Sequence, residues 1–332
     1  MRRPGESVKK GGRKPASCEV VEELRTIVQV HTAGSPVEPG RLWTNRSPSE
    51  LAEELAAAGF ELSPNTVSRL LSEELGLSRR KMAKTLALGA SPDRDAQFKR
   101  IAQLKAEYLA KGWPVVSIDT KKKELLGDFA RGGRAWTDGV VKAFDHDFPS
   151  VATGKVIPYG VYDVTLNEAL VLLAQGADTG ELVGDAVRRW WHRLGEKKYW
   201  RASGLLLLAD CGGSNGRRVP LFRERLCELA EELRRPIRVA HLPPYCSKYN
   251  PIDHRLFCHL TRSLSGVLTR TVETIRDAFA RVTTSTGLRV VVELARRTYQ
   301  AGVKPNADFL HNEPILRDEF LPAYNYTAPA VW

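Results

Sequence analysis

Twelve residues, Leu205-Leu-Leu-Leu-Ala-Asp-Cys-Gly-Gly-Ser-Asn-Gly216, restrict this chain more than any other stretch. Four leucines and an alanine are too few to span a bilayer. They are also too uniformly apolar for a half-exposed strand. They predict a central strand buried on both faces, as in a sheet covered by helices. The strand ends in a carboxylate, Asp210, and a Gly-Gly-Ser-Asn-Gly loop that continues neither helix nor strand. Open α/β sheets place their chemistry at such strand ends. Capping of the next helix is the competing role for Asp210 taken alone.

Two other stretches repeat the pattern. Trp113-Pro-Val-Val-Ser-Ile-Asp-Thr120 is a short β-rich run ending in Asp119, followed by Lys121, Lys122 and Lys123. Ile237-Arg-Val-Ala-His-Leu-Pro-Pro-Tyr245 predicts a third strand, after which Cys246-Ser-Lys-Tyr-Asn-Pro-Ile-Asp253 opens a helix. Three carboxylates far apart in sequence are thus expected at two strand ends and one helix start. Hard divalent cations need several oxygen ligands, and a two-metal site for phosphoryl transfer needs carboxylates from different elements.

The set Ser-Ile-Asp119, Leu-Ala-Asp210 and Leu-Pro-Pro-Tyr-Cys-Ser-Lys-Tyr-Asn-Pro-Ile-Asp253 resembles the catalytic core of bacterial insertion-sequence DDE transposases. The match is to the Rhodopirellula-type transposase DDE-domain family, relatives of the mariner-type transposases, and spans residues 12 to 328. The resemblance implies an RNase H-like mixed-sheet α/β catalytic domain preceded by an all-α helix-turn-helix region. It also implies that Asp119, Asp210 and Asp253 hold two Mg2+ ions, with Mn2+ able to substitute. Many relatives carry glutamate at the third position, where this chain has the one-methylene-shorter Asp253. Related proteins also carry a further helical DNA-binding segment before the equivalent of Gly11-Gly-Arg-Lys-Pro15, so a late start or a truncated gene stays open for this copy.

Charge agrees with that direction. The 332 residues carry a formal net charge of +11, which calls for a polyanionic partner, nucleic acid or an anionic surface. No apolar run reaches membrane-spanning length and no signal-peptide pattern opens the chain, so a cytoplasmic, nucleoid-associated protein is expected. Cys18, Cys211, Cys227, Cys246 and Cys258 form no Cys-x-x-Cys pair and read as reduced thiols. His241, His254 and His259 make no zinc spacing with them.

Five regions follow. Residues 1–18 form a basic arm, either lying along DNA or simply solvated. Residues 19–90 hold the helix-turn-helix region. Ser47-Pro-Ser-Glu50 gives an N-cap, a first-turn proline and a glutamate at the third helical position, and Gly59 ends that helix. Ser63-Pro repeats the start signal, with Val67, Leu70, Leu71 and Leu75 on one face. Asn65, Thr66, Ser68 and Arg69 near the start of this second helix are placed to meet base edges or phosphates. Arg79, Arg80 and Lys81 suit backbone contact. A linker is expected at 34–40.

Residues 91–112 are expected to form a connecting helix, 113–303 the RNase H-like domain and 304–332 a tail of low information. Within the catalytic domain, Val156–Asp163 and Glu168–Leu173 predict an antiparallel hairpin turned at 164–167. Helices are expected at 179–194, with Trp190 and Trp191 split between core and surface, and at 219–234. The stretch from Asp253 to about Ala301 reads as helical. Lys121, Lys122, Lys123 and Lys248 flank the catalytic positions as DNA contacts, while Asn215 and Asn250 support the active-site loops or meet the scissile phosphate. Glu124 and Asp128 read as surface charge, and nothing in the sequence brings Asp145 or Asp147 to the strand ends.

The expected activity is that of a DNA transposase. It binds the terminal repeats of an insertion sequence, hydrolyses a phosphodiester and joins the freed end to target DNA. The partners are double-stranded DNA and, in a synaptic complex, a homodimer or higher assembly. The alternatives are a metal-dependent nuclease without strand transfer, and a helix-turn-helix DNA-binding protein with an inert catalytic domain.

Overall fold

A computed structural model describes residues 17–31, 42, 44–80, 92–134 and 136–331. Most of the basic arm, the linker at 34–40 and Lys81 lie outside the described residues. The chain divides into two compact units, Met1–Thr85 and Leu86–Trp332.

The first unit packs three helices, α1 (Cys18–His31), α2 (Pro48–Ala57) and α3 (Pro64–Glu73). The local signals at 47–50 form as read. The Ser47 hydroxyl accepts from the Glu50 N–H at 3.3 Å, and the Glu50 carboxylate accepts from the Ser47 N–H at 2.7 Å. Ser63 caps α3 through the Thr66 N–H at 3.2 Å. Val20, Leu24 and Val28 of α1 meet Leu51 and Leu55 of α2 and Val67 and Leu70 of α3 in a small apolar core.

The second unit begins with α4 (Arg94–Ala110) and a strand, β1 (Val115–Thr120), then β2 (Glu124–Leu126) and the hairpin β3 (Gly154–Asp163) and β4 (Glu168–Gly176). Next come α5 (Gly180–Trp190), a one-turn α6 (Glu196–Lys198), β5 (Leu205–Ala209), α7 (Pro220–Leu233) and β6 (Ile237–His241). Then follow α8 (Cys258–Ser263), α9 (Val272–Ala280), β7 (Arg289–Tyr299), α10 (Ala307–His311), β8 (Leu316–Arg317) and β9 (Asn325–Ala328). The sheet runs β7-β4-β3-β1-β5-β6-β9-β8, with β2 paired to β3. β3 is antiparallel to both β1 and β4, whereas β1, β5 and β6 are parallel. A hairpin on one side of a first strand and parallel strands on the other is the RNase H-like order.

The four leucines of β5 divide between two layers, as strand alternation requires. Leu205 and Leu207 face α5 and α7, in a core with Ile118, Tyr159, Trp190 and Phe222. Leu206 and Leu208 face α4, against Ile101, Leu104 and Tyr108. Each such fully buried leucine contributes roughly 1.5–3 kcal/mol. Helix α4 is therefore a layer of this core. Its fully buried Gln97 donates to the His241 carbonyl at 2.8 Å and exchanges amide bonds with Asn325 of β9.

Three expectations need correction. The stretch after Asp253 is not helical throughout: Arg289–Tyr299 is an edge strand parallel to β4. Its Val-Val-Val run favours an extended chain, and its arginines suit an exposed edge. Trp190 and Trp191 are both buried, because a π-helical turn at Trp191–Gly195 rotates the second ring inward after the first. The C-terminal stretch carries β9, which pairs antiparallel with β6 and places Tyr326 in the core. Among the described residues no helix is long and apolar enough to cross a membrane.

Candidate active site

Asp119 is next to last in β1, Asp210 immediately follows β5, and Asp253 opens a π-helical turn, Asp253–Phe257, leading into α8. β1 and β5 are adjacent and parallel, so the first two carboxylates leave the sheet at the same edge. Asp253 approaches through a tight arrangement under β3. Gly160 is the cross-strand partner of Asp119, and a Cβ there would stand 2.7 Å from the Phe257 ring and 2.8 Å from the end of Ile252. The missing side chain is the space in which the Asp253 turn packs. Tyr245 adopts φ +60°, a left-handed conformation that turns the chain after Pro243-Pro244 toward the short turn Ser247–Tyr249.

A buried brace joins that turn to β1. Asn250, fully buried, donates to the Asp119 carboxylate at 3.3 Å and accepts a short hydrogen bond from the Ser117 hydroxyl. Ser117 in turn accepts from the Ile252 N–H at 3.3 Å. The other oxygen of Asp119 accepts the Thr120 N–H at 2.7 Å. Asn215, almost fully buried, reaches the Ile118 carbonyl at 3.5 Å from the Gly213–Asn215 turn. Behind Asp210, the Nδ1–H of His241 donates to the Asp210 carbonyl at 2.7 Å, and Nε2 accepts from the Tyr326 hydroxyl at 3.0 Å. A carbonyl only accepts, so Nδ1 must carry the proton. Burial accordingly pushes the His241 imidazole down to about 4.

The three aspartates sense one another. Burial pushes the Asp119 carboxyl up to about 8, and the charges of Asp210 and Asp253 add to the rise. The Asp210 carboxyl is raised to about 6 by burial, helped by Asp253 and by Asp178 and opposed by the Gly212 N–H. Asp253 is raised by burial, with His254 opposing. None of Asp119, Asp178, Asp210 or Asp253 is ion-paired to a lysine or arginine among the described residues. Such a set repels itself and favours either protonation or a bound cation.

Among the described residues no three His, Cys, Asp or Glu side chains already stand close enough together to hold an ion. The donor chemistry nonetheless fits a hard divalent cation. The ligand atoms are carboxylate oxygens from separate elements, and none of them is ion-paired among the described residues. Asp119 lines an open cleft of about 560 Å³, together with Thr120, Lys121, Lys122, Asp178 and Asn215. Neither Asp178 nor Asp147, which lines the same cleft, was tied to the site by sequence. Both sit in loops that only the folded sheet brings to this edge. Asp147 pairs with Lys122 at 3.7 Å and Arg131 at 3.1 Å.

The lysines divide. Lys121, expected to reach DNA, is buried and ion-paired with Glu124, which is itself buried rather than a surface charge and also meets Arg131 at 3.6 Å. Lys122, Lys123 and Lys248 are exposed. In the helical unit Asn65, Ser68, Arg79 and Arg80 are exposed, while Thr66 and Arg69 are half-buried. Arg69 pairs with Glu73 at 3.0 Å.

Solved structures to which the chain is similar include three Mos1 complexes. One is a paired-end complex with the left transposon end, 16% identical, covering 82% of this chain and 72% of that one, TM-score 0.41. The second is the Mos1 mariner paired-end complex with Mn, 18% identical with the same coverage and TM-score 0.42. The third is a pre-cleavage Mos1 transpososome, 17% identical with the same coverage and TM-score 0.43. No curated protein matches the sequence. Residues 23–330 match the family described as the Rhodopirellula transposase DDE domain. That match takes in the helical unit from within α1 onward, the whole sheet and the three aspartates, so the chain belongs to the Rhodopirellula-type DDE transposase family.

Proposed function

We propose that the chain is a DNA transposase that binds the terminal repeats of an insertion sequence, cuts a phosphodiester there and transfers the freed end to target DNA. The observation that carries this reading is the set of mutually repelling carboxylates, Asp119, Asp210 and Asp253, which have no cationic partner among the described residues, with Asp119 lining a lysine-bearing cleft.

Asp119, Asp210 and Asp253 would hold two Mg2+ or Mn2+ ions. Bound there, the ions would supply charge stabilisation of the scissile phosphate and a lowered pKa for the attacking water or 3′-hydroxyl. Asn250 keeps the Asp119 carboxylate aimed by donating to one of its oxygens. His241 fixes the backbone from which Asp210 projects, and Asn215 ties the glycine loop to β1. Lys122, Lys123 and Lys248 are the cations proposed to meet DNA phosphates near the cut. Lys121 serves the loop through Glu124 instead. Asn65, Thr66, Ser68 and Arg69 of α3, with Arg79, Arg80 and Lys81, are proposed to bind the repeat. A synaptic assembly of at least two copies follows from the need to join two ends.

The test is cleavage of labelled DNA bearing the element's own ends, with Mg2+ or Mn2+, by wild type and Asp210→Asn. Metal-dependent nicking at the boundaries should fall roughly 10³-fold or more in the variant, because the metal's contribution is several kcal/mol. Joined products separate transposition from a nuclease. Specific binding without cutting by wild type would favour an inert DNA-binding protein.

A further inference from the structure

Polar atoms buried in a folded protein are almost always hydrogen-bonded, to protein or to ordered water, so a group without protein partners in one place marks where water or an ion is bound. Among the described residues, five buried side-chain oxygens have no partner: Thr120 Oγ1, the Tyr159 hydroxyl, Asp178 Oδ1, Thr179 Oγ1 and Ser214 Oγ. The other unpartnered buried atoms are all nitrogens.

The five oxygens belong to one region. Thr120 and Tyr159 are cross-strand partners at the end of β1. Asp178 and Thr179 lead into α5, and Thr179 occupies its N-cap position without making a capping bond. The Gly213–Asn215 turn, which holds Ser214, packs against α5. Thr120, Asp178, Gly213 and Asn215 line the cleft that Asp119 enters. Tyr159 is wholly buried, and the charges of Asp119, Asp178 and Asp210 all bear on its hydroxyl. Asp178 likewise acts on Asp210. No lysine or arginine among the described residues pairs with Asp178, although the cleft holds three lysines.

We propose that Asp178 is a fourth carboxylate of the cation site, holding with Asp119, which lines the same cleft, a hydrated divalent ion whose water shell is bonded by the hydroxyls of Thr120, Tyr159, Thr179 and Ser214. This rests on the reading of Asp119, Asp210 and Asp253 as cation ligands. Magnesium gives up its waters reluctantly, so neutral hydroxyls around a carboxylate suit its outer shell better than a ring of charged ligands would. The arrangement also explains why hydroxyls, and not cationic side chains, fill this wall. A lysine amine there would neutralise Asp178 and remove the site.

The experiment titrates Mn2+ into the full chain without DNA and follows free Mn2+ by electron paramagnetic resonance. Wild type, Asp178→Asn, Tyr159→Phe and Asp210→Asn are compared, and each is melted with EDTA and with Mn2+. Asp178→Asn should lose one bound ion or weaken it tenfold or more, and Tyr159→Phe should weaken it several-fold. In EDTA, Asp178→Asn should melt no lower than wild type, since only an unpartnered charge is removed. Its Mn2+-induced rise in Tm should shrink.

If Asp178→Asn binds Mn2+ like wild type while Asp210→Asn does not, the fourth carboxylate is wrong and the three-aspartate site stands. A lower Tm in EDTA would assign Asp178 a structural role and also overturn the proposal. If wild type binds no Mn2+, both readings fall.

Discussion

The two sides of Asp119 are built on opposite principles. Toward the Asp253 turn, every polar side chain at the end of β1 is satisfied: Ser117 meets Asn250 and the Ile252 N–H, and Asn250 meets Asp119. Toward α5, the corresponding oxygens of Thr120, Tyr159 and Asp178 have no hydrogen-bond partner among the described residues. A satisfied network fixes positions before any ligand arrives, whereas oxygens without a protein partner are left to water or a ligand. The first side is a brace. The second has the character of a receptor wall, and the cleft lies along it.

The largest expected effect that bears on this contrast is on the brace. Asn250→Ala leaves the Ser117 O–H without its acceptor and the buried edge of Asp119 without its donor, at about 1–3 kcal/mol for each group. Urea unfolding should show a loss of roughly 3 kcal/mol, and a loss below about 0.5 kcal/mol would erase the distinction between the sides.

Acid should reach the support of Asp210 next. The unfolded imidazole of His241 titrates near 6.5 and the folded one near 4. Below 6.5 the unfolded chain therefore binds the extra proton first. His241 contributes stability that is complete above about 6.5 and is lost as pH falls toward 4, at about 1.4 kcal/mol per unit at most. Melting in EDTA should show this acid limb, and His241→Gln should flatten it.

Gly160→Ala tests whether the Asp253 turn depends on the gap opposite Asp119. Forcing a methyl against Phe257 and Ile252 should cost about 1–3 kcal/mol in Tm-derived stability. Cleavage should fall further than stability does, because Asp253 is displaced.

The smallest effect is the most discriminating. Thr120→Val removes a hydroxyl with no protein partner among the described residues and should change stability in EDTA by no more than about 0.5 kcal/mol. Ser117→Ala, on the braced side, should cost about 1–3 kcal/mol. Equal losses from the two substitutions would refute the contrast.

Much of the frame was legible from local chemistry. The leucine run, the two other strand ends, the hairpin turned at 164–167 and the Ser-Pro helix starts were all read from near-neighbour patterns, and all occur. Reading failed where partners are remote. The Arg289–Tyr299 strand carries a pattern compatible with a helix until β4 offers it an edge. Lys121 looked like a phosphate contact until Glu124 and Phe279 enclosed it. Asp147 and Asp178 are ordinary loop acids in sequence, and no spacing rule links them to Asp119.

The sequence by itself determined which segments are strands buried on both faces, where the first helices start, and which three aspartates sit at the ends of elements. Those properties depend on residues within one or two turns of each other. Only the tertiary structure decided that Asn250 braces Asp119, that His241 holds Asp210, and that five buried oxygens without a partner among the described residues gather beside one cleft, two of them on residues that line it. Hydrogen-bond satisfaction and charge repulsion are properties of groups brought together from remote parts of the chain, 31 residues apart for His241 and Asp210 and 131 for Asn250 and Asp119. No local pattern carries them.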